Sequence, residues 1–92
     1  MKTNLLITAV NKENLDVVKL LVRHKADVNW KDGFSTSALM YAATKGNKDI
    51  FLFLLENGAD INANDGHGNT VLSAAKEGGN KELISLVEEK RK

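Results

Sequence analysis

The residue pattern repeats itself at a fixed interval, and that interval constrains the fold more than any other feature. Asn14, Asn47 and Asn80 stand 33 positions apart. The same step links Leu6, Leu39 and Leu72, then Ala9, Ala42 and Ala75, then the acidic Asp16, Asp49 and Glu82. It carries Ala26-Asp27-Val28-Asn29 onto Ala59-Asp60-Ile61-Asn62, and Asp32-Gly33 onto Asp65-Gly66. Internal repetition with a period of roughly 20–50 residues marks a stacked array of supersecondary units. In such an array each unit buries its apolar face only against its neighbours. The chain therefore reads as three stacked units: residues 1–31, 32–64 and 65–92.

Composition narrows the function. The hydrophobic fraction of 42% and charged fraction of 27% are those of a folded chain rather than a disordered one. Thirteen basic and twelve acidic residues are scattered to a net charge of +1, without the basic stripe that nucleic acid or anionic lipid would select. The terminal run Glu88-Glu89-Lys90-Arg91-Lys92 reads as a solvated helix end with cations at its negative pole. No cysteine is present, which excludes disulfides, thiol catalysis and thiolate metal sites. The apolar run Leu5 to Val10 is too short for a secretory core, and no stretch approaches the ~20 apolar residues of a membrane span. A soluble, cytoplasmic protein is the expectation.

Met1 to Asn4 looks like a ragged start. Leu5 to about Asn11 is expected as a short helix with Leu6 and Ala9 inward. Asn14 then offers a capping oxygen to a second helix, and Asp16 places a carboxylate in its positive first turn. Val17, Val18, Leu20 and Leu21 supply the stripe that this helix would bury before ending near His24. At Asp32-Gly33 a tight hairpin is expected, with glycine taking positive φ. Ser37 opens a helix to about Lys45, in which Ala42 and Ala43 suit a close approach. Asn47 opens the most apolar helix, Asp49 to Asn57, ended by left-handed Gly58. A second hairpin follows at Asp65-Gly66. Thr70 starts a third short helix, and Asn80 caps a last one with Leu83, Ile84, Leu86 and Val87 inward. The polar Lys81, Glu82, Ser85, Glu88 and Glu89 on that helix suit the end of an array.

Taken together these residues resemble the ankyrin repeat family over essentially the whole chain. The family's signature of threonine, proline, leucine, histidine, any residue and two alanines maps onto Ser37-Ala38-Leu39-Met40-Tyr41-Ala42-Ala43 and Thr70-Val71-Leu72-Ser73-Ala74-Ala75-Lys76. In the first unit it survives only as Asn4-Leu5-Leu6-Ile7-Thr8-Ala9-Val10, and Leu54 to Asn62 follows the family pattern throughout. The resemblance implies an all-α solenoid of helix-turn-helix units joined by β-hairpin loops, its outer two units acting as caps. The chain departs from the family in having no proline and in placing Ile7, Met40 or Ser73 where the signature has histidine. Ser35 stands where a hairpin glycine is usual, and Lys25 stands where Gly58 ends the equivalent helix.

No catalytic constellation emerges. The two histidines, His24 at a helix end and His67 at a hairpin tip, occupy different positions in the repeat, so neither a triad nor a metal site is expected. Asp60-x-Asn62-x-Asn64-Asp65-Gly66 imitates a calcium loop, but its glycine falls one place late and Val71 occupies the position of the bidentate glutamate. Gly66-His67-Gly68 lacks the later glycine of a dinucleotide fingerprint, and no phosphate loop exists. No cofactor is expected.

What remains is surface. The resemblance implies that hairpin tips and first helices line a concave face, which here would hold Asn11, Lys12, Lys31, Gly33, Phe34, Thr36, Thr44, Lys45, Asn64, Gly66, His67, Asn69 and Glu77. Trp30 and Phe34 are candidate aromatic anchors of a protein interface, although Trp30 would equally serve to seal the next hairpin. Leu52, whose counterparts are Lys19 and Ser85, should face solvent and is a candidate self-association contact. The leading expectation is a non-catalytic module that binds a protein partner as a monomer. The alternatives are a structural, self-associating or engineered scaffold without a native partner, and a small anionic ligand held near Trp30, Lys31 and Phe34.

Overall fold

Each 33-residue unit becomes a helix pair. The computed structural model describes residues 4–90; Met1–Thr3 of the expected ragged start Met1–Asn4, and Arg91 and Lys92 of the terminal charge run, lie outside them. Six α-helices follow in order: α1 Leu5–Asn11, α2 Leu15–Arg23, α3 Ala38–Lys45, α4 Lys48–Glu56, α5 Val71–Gly78 and α6 Lys81–Lys90. The odd-numbered helices pack side by side as one layer, with α3 between α1 and α5, and the even-numbered helices lie behind them.

Capping sets every helix start. The side-chain oxygens of Asn4, Ser37 and Thr70 accept backbone N–H groups of Ile7, Met40 and Ser73 at the starts of the inner helices. Asn14, Asn47 and Asn80 do the same for the outer helices. Each cap satisfies an N–H that the first turn leaves without an intrahelical partner. Ser73 also replaces the missing signature histidine in its own way: it accepts the Thr70 N–H at 2.8 Å, closing a reciprocal box.

The core runs through the stack. Leu39, Ala42 and Ala43 of α3 are fully or almost fully buried, as are Ile50, Phe51 and Leu54 of α4. The two alanines mark a close approach. A Cβ added at Gly78 of α5 would stand 2.3 Å from the Ala43 carbonyl oxygen. The second helix departs from its expected stripe. Val18 is buried and Leu21 half-buried, but Val17 and Leu20 are exposed, since none of the described residues covers that side of α2. The exposed face of the first unit is therefore partly apolar.

The first turn differs from expectation as well, whereas Gly66 of the second takes positive φ at +78° as expected. Gly33 does not take positive φ. Lys31 bridges Ser37, and Ser35 carries the left-handed turn at φ +59°. Asp32 explains the wider loop, since its Oδ1 accepts the N–H groups of both Phe34 at 2.9 Å and Thr36 at 3.1 Å. In the second loop Asn64 bridges Thr70, and Asp65 and Gly68 take the corresponding roles.

Lys25 adopts the left-handed conformation at φ +68°, where Gly58 ends the equivalent helix at φ +95°. A side chain costs roughly 1–2 kcal/mol in that region. Lys25→Gly is accordingly expected to stabilise the fold by about 1 kcal/mol, raising the melting temperature by roughly 4–8 °C for a chain of this size. An unchanged or lower melting temperature would show that the strain is relieved elsewhere.

Candidate functional site

The loops and the inner helices together form a shallow groove. It is lined by Thr36, Met40, Tyr41, Thr44, Asp65, Asn69, Ser73, Ala74 and Glu77. Four of the residues expected from the sequence meet there: Thr36 and Asn69 from the two loops, Thr44 from α3 and Glu77 from α5. The groove holds about 220 Å³, less than the roughly 300–1,000 Å³ of pockets that enclose small ligands. Its lining carries the carboxylates of Asp65 and Glu77 and no basic side chain.

Hydrogen bonds fix the groove's walls. Tyr41 donates its hydroxyl to Asp32 Oδ2, while the other oxygen of that carboxylate holds the loop. Asn69 donates its amide to Asp65 Oδ2 at 2.6 Å, and the backbone N–H groups of His67 and Asn69 go to Oδ1. These bonds, that of the Asn69 side chain first, hold the Asp65 carboxyl below the usual range. Thr44 donates to the Met40 carbonyl at 3.1 Å.

Tyr41 is the exception among the groove's titrating groups. Burial first, then the hydrogen bond to Asp32 and the charge of that carboxylate, push it up from 10.0 to about 12. The folded state therefore binds a proton that the unfolded chain releases near pH 10. This contribution to stability is present below pH 10.0 and is lost as pH rises through about 12. Tyr41→Phe is expected to flatten the fall in stability over that window relative to the parent. Denaturant midpoints measured at several alkaline pH values check this, and parallel curves for the two proteins would contradict it.

The other expected residues lie outside the groove lining. Phe34 is 59% exposed on the first loop. Trp30 is half-buried and packed against the core, which fits the sealing role better than a free anchor. Lys31 spans one repeat and donates from Nζ to the Asn64 carbonyl at 2.8 Å, joining neighbouring loops. Asn64 uses its own Oδ1 to accept the Gly66 N–H. His67 is exposed, with Nδ1 3.1 Å from the Asp65 carbonyl oxygen, and Lys45 is exposed at the end of α3. Among the described residues no three His, Asp or Glu side chains converge as a metal site would require.

Leu52 does not face open solvent as expected. It is half-buried between α4 and α6, in a cleft shared with Leu86, where Lys48 and Glu82 form an ion pair. The hydrogen bond and the charge of Glu82 raise Lys48, and the same contacts lower Glu82. Both groups are solvated, and such surface pairs add little stability.

Sequence reasoning missed Met40, Tyr41, Asp65, Ser73 and Ala74 as groove residues. Repeat comparison hides Tyr41, because its counterparts are Thr8 and Ala74. Asp65 carried a signal, namely its alignment with Asp32 ahead of each loop. No described helix is long and apolar enough to cross a membrane.

A family model described as ankyrin repeats (3 copies) matches residues 1–65, more than half of the 92 residues. No curated protein matches the chain. The α5–α6 pair lies beyond the matched stretch and repeats the caps and core positions of the two pairs before it.

Proposed function

The chain belongs to the ankyrin repeat family, and on that premise we propose a non-catalytic module that binds a protein partner along the groove between its loops and inner helices. Ankyrin repeats are generally protein–protein interaction modules, and the fold alone does not choose the surface. One observation carries the choice of surface: Thr36, Thr44, Asn69 and Glu77, drawn from two loops and two helices, line a single groove. Phe34 extends from the adjoining loop as an exposed aromatic, the kind of side chain that interfaces enrich at their centres. Trp30 packs against the core and Lys31 joins the two loops, and Lys45, Asn64 and His67 form the polar surroundings.

The test is capture from a lysate by the parent and by a Thr44→Arg/Glu77→Arg variant, with Leu52→Lys as a control on the opposite helix layer. Thr44 and Glu77 are exposed, so circular dichroism should show an unchanged fold. A protein captured by the parent and by Leu52→Lys, but lost by the groove variant, is the expected result. Capture that survives the groove variant and fails with Leu52→Lys would move the site to the outer helices.

A further inference from the structure

The groove between the loops and the inner helices is short of hydrogen-bond donors, and the shortage follows from how its own walls are held. Four hydroxyl groups line it. Each carries one proton, and each spends that proton inside the molecule. Thr36 donates to the Phe34 carbonyl at 3.4 Å, Tyr41 to Asp32 Oδ2, Thr44 to the Met40 carbonyl and Ser73 to the Thr70 carbonyl at 3.0 Å. What remains on these oxygens is the capacity to accept. The loop backbone is spent in the same way, since the N–H groups of Thr36 and Asn69 go to the Asp32 and Asp65 carboxylates. Asn69 gives one amide proton to Asp65 Oδ2 and keeps the other, the one side-chain donor left in the lining.

Charge points the same way. Asp65 and Glu77 bring two carboxylates to the lining, Asp32 holds the Tyr41 hydroxyl, and no basic side chain lies among them. The one ion pair among the described residues, Lys48 with Glu82, is on the outer helices. Glu77 is exposed, and its carboxylate has no partner among the described residues. Met40 and Ala74, both buried, give the groove an apolar part as well. Its volume of about 220 Å³ suits one side chain rather than a free ligand.

We infer that the groove receives an arginine side chain of the protein partner. The inference rests on the groove being the binding face, and it adds the chemistry of the residue that enters there. Arginine carries five N–H donors in a planar fork and no acceptor, so a single group answers a lining made of acceptors. Its guanidinium pairs with the Glu77 carboxylate through two parallel N–H···O bonds, which leaves donors for the Tyr41 and Thr44 oxygens. Its methylene stem covers Met40 and Ala74. Lysine brings the same charge as a point with three donors, and it answers acceptors spread over two loops and two helices less well. A carboxylate or phosphate would set lone pairs against lone pairs and charge against like charge.

The probe is a library of random linear peptides displayed on phage and selected on the immobilised parent. Selected peptides are sorted by whether they still bind the Thr44→Arg/Glu77→Arg variant, whose fold circular dichroism checks. Arginine is expected at one fixed position of the peptides that depend on the groove. In a synthetic peptide of that set, citrulline, the neutral isostere, should weaken binding about tenfold or more, and lysine about threefold to tenfold. Glu77→Gln in the protein should weaken it about tenfold. Glu56→Gln makes the same change at an exposed position of α4 and should leave the affinity as it was. Groove-dependent peptides without arginine, or with equal affinity when it becomes citrulline, would overturn the inference and leave the groove as the binding face. If no selected peptide depends on the groove, the choice of face fails and the inference falls with it.

Discussion

Replacing Phe51 by alanine is expected to remove about 3–5 kcal/mol of stability, the largest loss of any single substitution considered. Phe51 is fully buried on α4, the outer helix of the middle unit. Its counterparts Val18 and Ile84 are smaller, so the middle unit concentrates its apolar volume in this one ring. Folded domains are stable by only about 5–15 kcal/mol, and a short chain sits toward the lower end of that range. Urea unfolding should therefore show a greatly reduced midpoint, or a chain already unfolded without denaturant. A loss under about 1 kcal/mol would mean that the units do not close over Phe51.

Gly78→Ala should also destabilise, against the direction of helix propensity. Alanine in place of a helical glycine ordinarily gains about 1 kcal/mol. Here the new Cβ would stand 2.3 Å from the Ala43 carbonyl oxygen and 2.8 Å from that of Thr44. Both obstacles are backbone, so relief requires α5 to move away from α3 and to loosen the inner layer. Overpacking of this kind costs roughly 1–3 kcal/mol and occasionally more, and a net loss of about 2 kcal/mol is expected. Lys76→Ala in the same helix, exposed and unobstructed, is the control and should change little. A neutral or stabilising Gly78→Ala in the same urea titration would show that the two helices do not approach this closely.

These two positions show what the sequence could and could not convey. The repeat interval made the helix pairs legible, because each cap recurs with its helix: Asn14, Asn47 and Asn80 before the outer helices, and Ser37 and Thr70 before the inner ones. Asn4 belongs to the inner series and was obscured by being read as part of a ragged start. The left-handed residues were legible in part. Comparison with Gly58 and Gly68 exposed Lys25 and Ser35, but the Asp32-Gly33 dipeptide suggested a tight turn that the Asp32 carboxylate instead widens.

Periodicity also reports which face of a helix is apolar and not whether anything covers it. Val17 and Leu20 fit the buried stripe by spacing and are exposed because none of the described residues covers them. The groove was half legible for a related reason. Thr36, Thr44, Asn69 and Glu77 follow from position in the repeat, whereas Tyr41 acts through a contact with Asp32 that exists in one unit only. Trp30 could not be assigned from sequence, since an aromatic at a loop edge satisfies either an interface or a seal until its burial is known.

The central claim, that the loop and inner-helix groove is the binding face, is tested most directly by placing a photoreactive amino acid at Thr44 and, in a second sample, at Ser85 on α6. Both positions are exposed, and they lie on opposite helix layers. Irradiation in lysate is expected to join a protein to the Thr44 sample, with competition by unlabelled parent and none by the Thr44→Arg/Glu77→Arg variant. Competable cross-linking from Ser85, with none from Thr44, would place the partner on the outer helices and contradict the claim.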